Sequence, residues 1–199
     1  MFDLRQYSSN IQMILGPHAG GARLMPLAPA APWGGPGLEL LKKATARQLF
    51  DNARVVSAET AECVRSALFL YFSALDESHE ISQGIQSSTG SFLHGIMHRQ
   101  EPDFGNAKYW FRRVPSHDIF PALREACLKL FETQDSSAAK LLGGEIEEKP
   151  RWDPQWFIDQ CEATHGGGSA DFEQRLMEIQ LLEWQLLFEY SYQRAVGKP

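Results

Sequence analysis

Pro121-Ala122-Leu123-Arg124-Glu125-Ala126-Cys127-Leu128-Lys129-Leu130-Phe131 carries apolar residues at 123, 126, 127, 130 and 131. That i, i+3, i+4, i+7, i+8 stripe belongs to a helix with one face in a core. Pro121 in its first turn fits a start behind Asp118 or Ser116. The same period recurs on both sides. Val64, Leu68, Tyr71 and Leu75 form one stripe, and Leu38, Leu41, Ala44 and Ala46 begin another. Asp153-Pro154 reads as an N-cap with proline at the first helical position, and Gly166-Gly167-Gly168 ends that helix. A last helix over 170–196 would be ~40 Å long at 1.5 Å per residue. Ser136 to Lys149 reads as a loop with one short helical turn. Alternating strand patterns and solenoid repeats are absent. The fold expected is all-α, a single helical-bundle-like domain over residues 38–199.

Ahead of it, residues 1–37 form an N-terminal segment of different character. Positions 16–37 hold five prolines and six glycines, which excludes both a helix and a central strand over that stretch. Gly16-Pro17-His18-Ala19-Gly20-Gly21 lacks the Gly-Lys-Ser/Thr ending of a phosphate loop. It reads as an irregular arm laid on the domain, anchored by Trp33.

With 199 residues, 43% hydrophobic and 22% charged, the chain can bury one substantial core and is neither disordered nor fibrous. Nineteen basic against 25 acidic residues give a net charge of −6, the wrong sign for a general nucleic-acid binder. The longest apolar run, Ala67 to Phe72, is far short of the ~20 residues that span a bilayer. No secretory leader is evident at Met1-Phe2-Asp3-Leu4-Arg5, so a cytoplasmic location is expected. Cys63, Cys127 and Cys161 form no C-x-x-C pair and read as buried thiols.

The chemistry concentrates in residues 76–118, which hold four of the six histidines. His94 and His98 are one turn apart on a helix, with 40° of rotation between them, so both rings reach one point. That is the spacing helical metal sites use, with neutral imidazole as ligand. The zincin glutamate is missing, since Gly95 follows the first histidine. Glu101 follows on the same face, although Pro102 biases it out of helical geometry and lets it turn back toward the histidines. His79 lies at the end of the 64–75 stripe and should face inward. Glu183 falls on the apolar face Leu176, Ile179, Leu187, Tyr190, where a buried carboxylate needs a partner. The ordinary partner is Arg112 or Arg113.

The motif His94-Gly95-x-x-His98-Arg99-x-Glu101-Pro102-Asp103-x-x-Asn106-Ala107-x-Tyr109-Trp110-x-Arg112-Arg113 resembles the core signature of an uncharacterised family of microbial proteins. Two further stretches are similar to it: Trp152-Asp153-Pro154 through Glu162, and Glu183-Trp184 through Tyr190. The resemblance covers about half the chain and implies no reaction.

Three readings follow. The first is an enzyme with a His/carboxylate pocket between helices. In it His94, His98 and Glu101 are catalytic, and His79, His94 and His98 hold a divalent metal where one binds. Hydrolysis of a small polar or anionic molecule is then the simplest chemistry. Asp103, Asn106, Tyr109, Trp110, Arg112 and Arg113 would contact the substrate, with Arg99 a further anion clamp. The second is a non-catalytic module binding such a molecule through the same residues. The third is an interaction scaffold, in which the block is an internal polar network and the Pro/Gly arm or the long C-terminal helix docks a partner; on the plainest reading Asp103 or Asn106 merely caps a helix over 107–113.

Overall fold

The computed structural model describes residues 2–198. Among them are ten α-helices, three short 3-10 turns and no strand, so the all-α expectation holds. In chain order the helices are α1 (Ser9–Leu15), α2 (Pro36–Lys43), α3 (Ala58–Tyr71), α4 (Leu75–Ser82), α5 (Ser88–Gln100), α6 (Phe104–Phe111), α7 (Phe120–Glu132), α8 (Ser137–Glu148), α9 (Pro154–His165) and α10 (Ala170–Ala195). None is long and apolar enough to cross a membrane.

Local chemistry sets most of the starts. The side chains of Ser57, Ser87, Ser136 and Ser169 accept from the third backbone N–H beyond them, and Asp103 and Asp153 do the same for α6 and α9. Each satisfies a donor that the first helical turn leaves free. α3 and α10 form the spine: Trp184 on α10 donates its indole N–H to the Ala67 carbonyl at 2.6 Å and stacks on Phe188. Cys63, Cys127 and Cys161 are buried free thiols, as expected.

α5 is the unusual element. Twelve consecutive residues, Thr89 to Gln100, are buried, so the helix is enclosed on every side. Such helices are ordinarily apolar all round. This one carries Thr89, Ser91, His94, His98, Arg99 and Gln100, and each buried polar group there calls for an internal partner. Glycines make the enclosure possible. A Cβ on Gly95 would sit 2.6 Å from the Phe111 ring, so α6 can lie close against α5.

Four expectations need correction. Residues 137–148 are helix, not loop. Ser136 caps α8, and its buried residues Ala138, Ala139, Leu142 and Ile146 form a face that Gly143-Gly144 obscures in the sequence. α7 starts at Phe120 behind Ile119, with no side-chain cap, while Asp118 pairs with Arg194 at 3.3 Å. The stripe 64–75 belongs to two helices, because the chain turns at Ser73 (φ +54°) and Leu75 opens α4. α2 ends at Lys43, which leaves Ala44 and Ala46 outside it.

The N-terminal segment enters the core through Tyr7, Ile11, Ile14, Leu15, Met25 and Leu27. Its arm contains one 3-10 turn, Ala19–Gly21. Gln180 donates to the Met25 carbonyl at 3.0 Å and Gln185 to that of Gly21 at 2.8 Å. Trp33 remains half exposed, held through its backbone N–H on the Phe72 carbonyl.

Candidate metal centre

α4 and α5 bring three histidines together. His79 lies mid-way along α4, and His94 and His98 lie one turn apart on α5. One ring nitrogen from each falls within 4.8 Å of the other two. The ring centroids are 4.8 Å apart for His79–His94 and His94–His98, and 5.6 Å for His79–His98. His94 and His98 are buried, and His79 closes the group from the half-exposed side.

On His94 and His98 the Nδ1 nitrogens are engaged. His94 Nδ1 is 3.0 Å from the Ser82 hydroxyl, which also reaches the His79 carbonyl at 3.5 Å. With its proton on that carbonyl, Ser82 accepts from Nδ1–H and leaves His94 Nε2 bare. His98 Nδ1 lies 3.1 Å from Glu101 Oε2, which fixes the same tautomer. Engagement of one ring nitrogen selects the other as a ligand. Burial, followed by the neighbouring His98 and His79, pushes His94 down to about 4. Burial lowers His98 as well, against the pull of Glu101 and Asp103. Both rings are therefore neutral near pH 7, the form that binds metal.

α6 supplies the wall. Because Gly95 admits Phe111, the preceding Trp110 lies over His94 with ring centroids 4.1 Å apart. The Arg113 guanidinium stands 5.0 Å above the Trp110 ring, and Arg112 stands 5.8 Å from that of the exposed Tyr109. Asp103 caps α6 at 3.0 Å from the Asn106 N–H. The structure thus gathers His79, His94, His98, Glu101, Trp110 and Arg113. It sets Asp103 and Asn106 at the start of α6, and Tyr109 and Arg112 toward solvent.

Two sequence expectations fail. Arg99 is no anion clamp: it is 1% exposed and forms a fork with the equally buried Glu183. Its guanidinium also reaches Gln180 at 3.4 Å and lies 4.3 Å from the centre of the Phe157 ring. Glu183 therefore takes neither Arg112 nor Arg113 as partner. Nothing in the spacing indicates this, since Arg99 sits beside His98 but faces α10. Ser82 was missed too, although its place three residues after His79 puts both on one face of α4.

Five surface clefts of about 310–590 Å³ have other residues in their walls. The histidine cluster suits an ion. No protein-family model matches the chain, and no curated protein or solved structure is significantly similar to it.

Proposed function

We propose that this protein holds a divalent transition-metal ion on His79, His94 and His98 and uses it to hydrolyse a small anionic substrate. The observation that carries this reading is the convergence of three imidazoles from two helices, two of them with Nδ1 already bonded. Tetrahedral zinc needs ligand nitrogens about 3.3 Å apart at Zn–N distances near 2.0–2.1 Å, so nitrogens within 4.8 Å of one another close by small ring rotations. Three protein ligands leave one position open, as in hydrolytic zinc sites. The ion would lower the pKa of bound water toward about 7.

The chain's own groups have separate tasks. Ser82 and Glu101 orient His94 and His98. Trp110 shields one side of the cluster. Arg113, resting on Trp110, offers a guanidinium fork to the anion. A second reading, a binding module without turnover, draws support from Gly95, which stands after the first histidine where zincins carry their general-base glutamate.

Metal analysis of the full chain after incubation with zinc and dialysis is expected to find a single ion per chain. His98→Ala should lose it while keeping the helical circular-dichroism spectrum. Zinc-dependent hydrolysis of p-nitrophenyl phosphate or acetate that His98→Ala abolishes supports the enzyme; zinc retained without turnover supports the module. A wild type that retains no zinc, cobalt or nickel sinks both metal readings.

A further inference from the structure

A second site stands apart from the histidines, in a cleft of about 440 Å³ between the end of α6 and the segment leading into α9. Its lining includes Arg112, Lys149 and Arg151 against one carboxylate, Asp153. Asp153 is committed elsewhere: its Oδ1 accepts from the Gln155 and Trp156 backbone N–H groups at 3.0 and 3.2 Å. Its other oxygen reaches Lys149 only at 3.9 Å. Arg112 and Arg151 are exposed. In a chain of net charge −6, three cations facing one committed carboxylate form a local positive field.

A surface patch of cations would mean little alone. Here the wall also holds Trp152, which is 3% exposed and whose indole N–H is buried without a partner. Buried indoles usually find an acceptor. Phe111 and Val114 add apolar surface beside the charges. Hydrogen bonds hold the backbone on both sides of the cleft. Arg124 donates to the Lys149 and Glu147 carbonyls at 3.0 Å each, and Gln155 donates to the Lys108 carbonyl at 3.3 Å, tying α9 to α6.

We infer that this cleft binds the phosphate group of a small phosphate monoester. Arg112 and Arg151 would grip the dianion, Lys149 would add charge, and a turn of the Trp152 ring would bring its buried N–H to the phosphate and supply the acceptor it lacks. The organic part of the ester would lie on Phe111 and Val114. None of these residues belongs to the histidine cluster, so the inference does not depend on the metal.

Calorimetry with phenyl phosphate on the full chain, kept in EDTA, tests it. Saturable binding is expected, unchanged in His98→Ala and weakened at least about tenfold in the double variant Arg112→Gln/Arg151→Gln, whose exposed side chains leave the fold alone. Trp152→Phe, which keeps an aromatic ring and removes the N–H, should bind several-fold more weakly. Phenol should not compete. Absence of saturable binding overturns the proposal. So does an affinity that the double arginine variant leaves unchanged, or one that Trp152→Phe leaves unchanged.

Discussion

At the scale of single residues, the groups that touch the histidines matter as much as the histidines. The Ser82 hydroxyl lies 3.0 Å from His94 Nδ1, where it accepts when its own proton is on the His79 carbonyl, and Glu101 Oε2 lies 3.1 Å from His98 Nδ1. Removing such an outer partner typically costs 10–100-fold in metal affinity, because the ring loses its tautomer and its orientation. Ser82→Ala is therefore expected to weaken zinc binding by about that factor, measured by competition with a chelating dye. Glu101→Gln keeps an acceptor and should weaken it less. Equal affinities in wild type and Ser82→Ala would show that Ser82 does not orient the ligand. Arg99 and Glu183 differ in kind. Each is buried, and each neutralises the other in the interior. Deleting one partner of such a pair strands a charge, at a cost of about 3–5 kcal/mol.

At the scale of elements, α5 decides where the chemistry can be. A helix enclosed on every side makes its polar groups depend on neighbouring elements for partners, and the Gln100 amide finds none. Gly95 lets α6 lie close. Gly95→Ala would drive a Cβ into the Phe111 ring, and the ring is held by Phe92 at 5.1 Å between centroids. Overpacking of this kind costs about 1–3 kcal/mol. A urea midpoint lowered correspondingly, together with altered Trp110 fluorescence, is the expected outcome. An unchanged midpoint would mean that α6 shifts freely and does not fix Trp110 over His94. The elements also show what was legible beforehand. α9 was readable from Asp153-Pro154 and Gly166-Gly167-Gly168, because caps and breakers act on their own neighbours. α8 was not, because Gly143 and Gly144 break its period; Gly143 lies where a Cβ would meet Phe131 of α7 at 3.4 Å. The His94–His98 pair was legible as one turn of helix. Of its outer partners Glu101 was legible too, three residues beyond His98, whereas Ser82 depended on how α4 packs on α5, and the Arg99–Glu183 pair joins residues 84 apart in sequence.

At the scale of the whole molecule, His117 offers a way to read how tightly the helices close. It is 8% exposed, between Phe92 and Thr89 of α5, Phe120 of α7 and Tyr190 of α10. The Ile119 backbone N–H donates to its Nδ1 at 3.4 Å, so the proton sits on Nε2, 3.1 Å from the Thr89 hydroxyl. A second proton would set an N–H against that donor. Burial pushes the folded pKa down to about 4, with Asp118 opposing. The unfolded value is about 6.5. Between these two the unfolded chain binds the proton and the folded chain does not, so stability rises with pH. This contribution is complete above about pH 6.5, falls as the pH drops, and is gone near the folded value. The full swing is about 3 kcal/mol. Urea unfolding at pH 7.5 and at pH 4.5 should show the wild type losing stability on acidification. His117→Gln should start lower, having lost well-packed ring contacts, and decline less steeply. Two declines of equal slope would mean that His117 is protonated in the folded protein as readily as in the unfolded chain, and that the junction of α5, α7 and α10 is open to water.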